Sequence, residues 1–212
     1  MTDLHVPEMF TVGHSTTTYD ELSRKLQHVS ANVIVDVRSL PYSKHTPQFN
    51  QDNLKAQLKS DGIQYVFLGK ELGGRPEDRS YFIDGVANYE LMAKNSKFLA
   101  GIERVLHGLS QNYTIALMCA EHNPLDCHRC LLVGRELVNR GVRLSHILGN
   151  GCVSTHADIE KELLKISGLD KEDFFTSYDD RLQLAYKDRG QKVAFSENVR
   201  ALNIEGDEID ER

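Results

Sequence analysis

Cysteine, histidine and arginine residues concentrate in one short segment of the chain. Cys119 ends an apolar run and is followed by AEHNPLDCHRC, which contains Glu121, Cys127, His128 and Arg129. A helix amino terminus or a nearby cation favours the thiolate, which is the nucleophilic form of cysteine. The segment therefore predicts a nucleophile or sulfur carrier at Cys119, with Cys127 as second choice. The alternative is that Cys119 is only a small buried residue at a strand end.

The residues around Cys127 indicate a site for an anion. Asp126 can serve as the N-cap of a helix, which would place His128 and Arg129 in its first turn. A guanidinium group and helix amides would then converge on an anionic group. We predict that Arg129 binds this group and that His128 moves protons, oriented by Glu121. A structural ion pair of Arg129 with Asp126, Asp36 or Glu121 is the alternative.

The same segment also offers metal ligands. Cys119, Cys127 and His128 could supply sulfur and nitrogen donors to zinc or iron. The spacing C-x7-C-H-x-C, however, matches neither paired C-x2-C motifs nor H-E-x-x-H. We expect no cofactor and keep a metal centre at these three residues as an alternative.

Other candidate residues follow separate predicted strands. His14 comes after a glycine at a strand end, where a histidine can act as general acid or base. Asp36 and Arg38 are two apart on a strand, so their side chains point the same way. They predict either an anion contact or a pair that ties two loops together. The remaining candidates for substrate binding are Ser15, Ser43, Gly73, Gly74 and Arg75.

Alternating strands and helices must position these residues. Thr18 and Glu21 form a capping box at the start of an amphipathic helix. Strand-like runs cover residues 9–12, 33–37, 63–68, 113–118 and 142–148. We predict an α/β fold, with a mostly parallel central sheet of about five strands flanked by helices. Because loops at the carboxyl ends of parallel strands meet at one edge, the candidate residues should share one face.

Length and composition predict one domain with an appendage. We assign residues 1–168 to the α/β domain and 169–212 to a C-terminal extension that ends in the acidic run NIEGDEIDER. A net charge of −6 gives no general attraction to nucleic acid. The sequence has no membrane-length apolar run, no secretory pattern at its amino end and no cysteine pattern typical of a disulfide framework. We expect a soluble cytoplasmic protein without a membrane partner, and the sequence leaves its oligomeric state open.

The chain resembles the family catalogued as domain of unknown function 488. The matching pieces span residues 10–151 and are TVGHST, VDVRSLPYSKHTPQFN, GIQYVFLGKELGGRP, ALMCAEHNPLDCHR and VRLSHILGNG. Lys44 departs from the family pattern, in which an arginine is usual. The resemblance implies a shared site at the GHS, DVRS, LGGRP and C-x-E-x5-CHR motifs, but it implies no particular reaction.

A weaker resemblance is to rhodanese-like sulfurtransferases. Residues 35–38, Cys119 and residues 148–151 follow the order of their V-D-V-R strand end, cysteine and final turn. Arg129, however, lies ten positions after Cys119, whereas the rhodanese loop is compact and a cysteine phosphatase has its arginine six positions after the thiol.

Three functions are compatible with these residues. The first is a thiol-dependent transferase or hydrolase that acts on a small substrate bearing phosphate, sulfur or carboxylate. The second is a module that binds a nucleotide or another phosphate ligand without cysteine chemistry. The third is a metal-dependent hydrolase or lyase.

Overall fold

Strands and helices alternate along most of the chain in the computed structural model, which describes residues 8–172 and 174–197. The first elements are β1 (Glu8–Gly13), α1 (Tyr19–His28), β2 (Val33–Asp36), α2 (Gln51–Ser60), β3 (Gln64–Phe67) and α3 (Gly69–Leu72). They are followed by the hairpin β4 (Phe82–Ile83) and β5 (Val86–Ala87), by α4 (Tyr89–Met92), α5 (Ser96–Ser110) and β6 (Ile115–Cys119). A 3-10 turn (Pro124–Asp126) and a π-helix (Arg129–Gly134) then lead into α6 (Arg135–Asn139), β7 (Arg143–Ile147), β8 (Val153–Thr155), α7 (His156–Ile166) and α8 (Tyr178–Val193).

The main sheet has the strand order β3-β2-β6-β1-β7-β8 within the described residues. The first five of these strands are parallel, and β8 pairs antiparallel with β7. The predicted α/β fold with a mostly parallel sheet is therefore confirmed. The number of strands exceeds the predicted five because a tight turn at Gly151, which has a φ of 85°, returns the chain beside β7.

The central strand β6 separates two apolar layers. All five of its residues are buried, and neighbouring side chains point to opposite faces of the sheet. Leu117 packs in the same cluster as Ile102 of α5, whereas Met118 packs with Leu22 of α1 and Leu54 of α2. Both faces are thus covered by helices, which accounts for the continuous apolar sequence of this strand.

The segment after Cys119 differs from the predicted helix that would begin at Asp126 as its N-cap. Asn123, rather than Asp126, caps the 3-10 turn, because its Oδ1 accepts from the backbone N–H of Leu125 at 2.9 Å. Cys127 is extended, with a φ of −138°, and the next helix starts beyond it. The Asp126 side chain instead pairs with Arg189 of α8, so the prediction of an Asp126 N-cap was wrong.

Helix α8 packs against α7 and the π-helix. Ala185 and Tyr186 of α8 lie in one buried cluster with Leu131 and Leu163. The acidic run at residues 203–212 lies outside the described residues. In the described part of the chain, no helix combines the length and the apolar character needed to cross a bilayer.

Gly13, at the end of β1, lets the loop after β6 pack directly against the backbone of that strand. A Cβ atom at Gly13 would lie 1.9 Å from the backbone oxygen of Glu121, so no larger residue fits without moving the loop. At Gly141, by contrast, a Cβ atom would meet nothing, and only its φ of 85° disfavours other residues.

We expect Gly13→Ala to lower the free energy of unfolding by about 3 kcal/mol or more through overpacking. Gly141→Ala is the matched control and should cost about 1–2 kcal/mol through its backbone conformation alone. Urea unfolding of both variants checks this difference. An equal or smaller loss for Gly13→Ala would contradict the close approach of the loop.

Candidate functional site

A pocket of about 570 Å³ opens at the carboxyl edge of the parallel strands. Most of the residues predicted from the sequence line it, namely His14, Ser15, Arg38, Ser43, Gly74, Arg75, Cys119, Glu121 and His128. Asp36, Gly73, Cys127 and Arg129 do not line it. The loops after β1, β2 and β6 therefore meet at one edge, as expected for parallel strands.

Arg38 is held by a dense set of hydrogen bonds at the pocket floor. Its Nε lies 2.9 Å from Asp36 Oδ1, and its Nη2 donates to Asp36 Oδ2 at 2.6 Å and to the Phe49 carbonyl at 2.8 Å. Tyr65 donates to the same carboxylate at 2.7 Å. Burial lowers the pKa of Arg38, but the bonds to Asp36 outweigh burial and raise it. Arg38 therefore stays charged.

His14 is a neutral acceptor for Arg38. A guanidinium group only donates, so Arg38 Nη1 must donate to His14 Nε2, at 3.1 Å. His14 Nδ1 then carries the proton and donates to the Ser15 carbonyl at 2.8 Å. Burial and then the charge of Arg38 lower the pKa of His14 to about 4. Because both ring nitrogens are engaged, this geometry orients Arg38 and does not favour the predicted acid–base role of His14.

Two cysteines, a histidine and a glutamate meet at the other side of the floor. One ligand-type atom from each of Cys119, Glu121, Cys127 and His128 lies within 4.8 Å of the others. Cys127 Sγ and Glu121 Oε2 are 3.0 Å apart, and when Cys127 is a thiolate the protonated carboxyl group of Glu121 is the donor. His128 donates from Nε2 to the Val37 carbonyl at 2.9 Å, which directs its Nδ1 to the sulfurs of Cys119 and Cys127 at 3.8 and 3.9 Å.

The two thiols have opposite pKa shifts. Burial raises the pKa of Cys127, but a hydrogen bond from Cys119 and the charges of Arg129 and His128 outweigh burial and lower it well below its usual value. Burial and the bond to Cys127 raise the pKa of Cys119 well above its usual value. Burial lowers the pKa of His128, but the charge of Cys127 outweighs burial and raises it. Desolvation of the carboxyl group raises the pKa of Glu121. The directions of these pKa shifts favour a thiolate at Cys127, a charged His128 and a protonated thiol at Cys119.

The start of the π-helix contributes to this arrangement. The backbone N–H of Arg129 donates to Cys127 Sγ at 3.4 Å, and the Cys127 carbonyl accepts from the backbone of Leu131 at 3.1 Å. Cys127 thus occupies the position at which unpaired helix amides favour an anion. The sequence pattern predicts that position for Cys119 instead.

Arg129 is part of the scaffold and does not face the pocket. Its side chain is fully buried, and its Nη1 and Nη2 donate to the carbonyls of Glu121 at 2.6 Å and His122 at 3.1 Å. Its Nε has no hydrogen-bond partner among the described residues. The structure therefore does not support the predicted contact of Arg129 with an anionic substrate. It also shows no carboxylate paired with Arg129 in the described ranges.

Of the three residues predicted to bind substrate in the glycine-rich loop, Gly74 and Arg75 line the pocket and Gly73 does not. Gly73 closes α3 by donating to the Gly69 carbonyl at 3.1 Å, away from the pocket. Gly74 covers His128 so closely that a Cβ atom there would lie 2.8 Å from the ring. Arg75 is exposed at the rim, with its guanidinium 5.3 Å from the ring centre of Phe195. Ser43 Oγ is already an acceptor for the backbone of the next turn.

Aromatic residues complete the pocket wall and were not predicted. Tyr42 belongs to the matched piece VDVRSLPYSKHTPQFN, so its place in that motif was an available signal. Tyr89 and Phe195 also line the wall. Phe195 reaches it because its carbonyl accepts from Ala87 of β5 at 2.9 Å. No local sequence pattern indicates that contact.

The fold and pocket define an α/β protein with a cysteine-containing pocket at the carboxyl edge of its sheet. The family model described as "Domain of unknown function DUF488" matches residues 18–135, more than half of the chain. The chain belongs to this family. The match includes Arg38, Cys119 and Cys127, whereas His14 precedes it. No curated protein and no solved structure matches the chain, so the comparisons give no support to the rhodanese-like resemblance.

The neutral state of His14 makes stability depend on pH. Its pKa is about 4 in the folded protein, against an ordinary value of 6.5. Between these values the unfolded chain binds more protons, so stability should fall as the pH drops from about 6.5 to about 4.

In His14→Gln, we expect the proton uptake on unfolding to decrease by about one in this range. Urea unfolding over a pH series measures it. A wild-type slope in His14→Gln would show that His14 is protonated in the folded state.

Proposed function

We propose that this protein is a thiol-dependent transferase or hydrolase in which Cys119 attacks a small anionic substrate. The observation that carries the proposal is the position of Cys119, a residue that lines the pocket and whose thiol lies beside Cys127 and His128. Cys127 itself does not line the pocket. The thiol nearest the substrate is therefore distinct from the thiol that carries the charge.

Two guanidinium groups support an anionic substrate. Arg38 has five N–H groups, and four of them donate to Asp36, Phe49 and His14. One N–H of Nη1 has no partner within the described residues and remains for a ligand. Arg75 lies at the rim and pairs with no carboxylate in the described part of the chain. Bonds from a charged guanidinium to an anion are among the stronger hydrogen bonds in proteins.

The proximity of the two thiols, whose sulfur atoms lie within 4.8 Å of each other, provides a route for activation. As a substrate approaches, the proton of Cys119 passes to the Cys127 thiolate, and Cys119 becomes the nucleophile. Its sulfur forms a bond to the electrophilic atom, and the leaving group departs with its electron pair. The charged His128 donates a proton where the leaving group needs one. With thiosulfate, Cys119 would bond to the outer sulfur and release sulfite, which leaves a persulfide.

A panel of thiosulfate, p-nitrophenyl phosphate and p-nitrophenyl acetate tests the proposal. We expect turnover or a covalent adduct on Cys119 with at least one of them, and a loss of at least about 10³-fold in Cys119→Ser. Peptide mass spectrometry locates the adduct. Cys152→Ser is the matched control, because Cys152 is an exposed thiol outside the pocket.

Activity that survives Cys119→Ser would show that Cys119 is not the nucleophile. A different outcome would favour the binding module: no turnover, together with a rise in melting temperature on adding a nucleotide that persists after alkylation of the thiols.

A metal centre at the same four residues is a second candidate. The specific observation is the orientation of His128, because a histidine ligand commonly donates its outer nitrogen to a carbonyl, as His128 does to Val37. Two thiols, this imidazole and Glu121 would suit zinc. Protein purified without chelators should then contain one equivalent of metal that Cys127→Ser lacks. Metal-free protein with full activity would contradict this candidate.

A further inference from the structure

A second group of metal-type donors lies away from the pocket, in the apolar layer beneath α7 and α8. Cys130 of the π-helix, His146 of β7 and His156 of α7 are all buried. His146 Nε2 lies 2.9 Å from His156 Nδ1 and 4.0 Å from Cys130 Sγ. The three donor atoms all lie within 4.8 Å of one another. Three separate elements thus bring one thiol, which is a soft donor, and two imidazoles, which are borderline donors, close together.

The outer nitrogens of both imidazoles are held by hydroxyl groups. Tyr186 donates its proton to Glu160 Oε1 at 2.9 Å. Its oxygen, 2.9 Å from His156 Nε2, must therefore accept, which leaves a lone pair on His156 Nδ1. His146 Nδ1 lies 2.8 Å from Thr11 Oγ1, a hydroxyl that can accept from it. Hydrogen bonds of this kind orient histidine ligands in metal sites.

We propose that Cys130, His146 and His156 form a buried binding site for one transition-metal cation, and that its occupant is cuprous copper. One thiolate and two imidazoles are the trigonal donor set associated with copper, and thiolates select the soft cuprous ion. Ligands of one ion lie roughly 3.3–3.7 Å apart. The present separations of 2.9 and 4.0 Å differ from this by a few tenths of an ångström.

Charge favours the monovalent ion over zinc. The site is closed to water, and burial raises the pKa of the Cys130 thiol. The charge of Arg129, the residue directly before Cys130 in the π-helix, opposes this shift. A cuprous ion with the Cys130 thiolate is neutral overall, whereas zinc would leave an excess positive charge near Arg129. An uncompensated charge in a buried place is costly.

The helix that carries Cys130 is itself unusual. Residues Arg129–Gly134 form a π-helix, which is rare and often found at functional sites. Its glycine allows close packing, because a Cβ atom at Gly134 would lie 2.8 Å from Leu144 and 3.7 Å from the His156 ring. The irregular turn and the glycine together let Cys130 approach both histidines.

The test uses a variant in which Cys130 is the only cysteine, Cys119→Ser/Cys127→Ser/Cys152→Ser. Because the site is closed, the protein is refolded without oxygen in the presence of cuprous ion, or of Zn²⁺ in a parallel sample. We expect one copper per chain to survive gel filtration, with an X-ray absorption spectrum of one sulfur and two imidazole nitrogens. Zinc should be retained at least about tenfold more weakly.

The matched control adds Cys130→Ala to this variant and should retain no copper. If these variants do not fold, Cys130→Ser in the otherwise native chain decides, and its copper content should fall by one equivalent. Retention of neither metal would overturn the site and leave the three residues as a hydrogen-bonded chain. Retention of zinc alone would overturn the assignment to copper. Since activity is not the readout, these outcomes do not depend on the function proposed for the pocket.

Discussion

The site depends on one buried positive charge, the guanidinium of Arg129. This group is fully buried, donates only to the carbonyls of Glu121 and His122, and pairs with no carboxylate among the described residues. A buried cation without an anion is strongly destabilising. A thiolate at Cys127 supplies that anion in this account. Burial opposes both charges, but the bond from Cys119 and the charge of Arg129 lower the pKa of Cys127, and the charge of Cys127 raises that of Arg129. The same guanidinium holds the loop that carries Glu121, so charge balance and loop geometry are coupled.

The protonation states of the other groups at the pocket floor follow from this pairing. Burial and then the bond to Cys127 raise the pKa of Cys119, and the negative charge of Cys127 outweighs burial and raises the pKa of His128. One thiol is then charged and enclosed, while its neighbour is protonated and faces the pocket. Arg38 illustrates the opposite solution, since Asp36 compensates its charge fully and a neutral His14 accepts another of its hydrogens. The sequence predicts three arginines at an anionic substrate; Arg129 is bound to the backbone of its own loop, whereas Arg38 and Arg75 line the pocket.

Local patterns in the sequence predicted the elements that have local causes. The apolar runs, the capping box at Thr18 and the shared edge of the strands are all present. The burial of Arg129 and its bonds to carbonyl groups were not predictable, because they depend on how the loop after Cys119 folds over the guanidinium. The start of the next helix at Cys127 was missed for the same reason, since Asp126 turns to Arg189, which lies far along the chain. Phe195 joins the pocket through pairing with β5, which no nearby residue indicates.

The most direct test of this account is the pH titration of thiolate absorbance in the ultraviolet, in a Cys152→Ser background that removes the exposed thiol. The account predicts one thiolate at neutral pH that persists in Cys119→Ser and disappears in Cys127→Ser. Its titration midpoint should rise when Arg129 is replaced by methionine in a variant that still folds. If no thiolate forms below about pH 8.5, or if Cys127→Ser retains it, Cys127 does not balance Arg129 and the account is wrong.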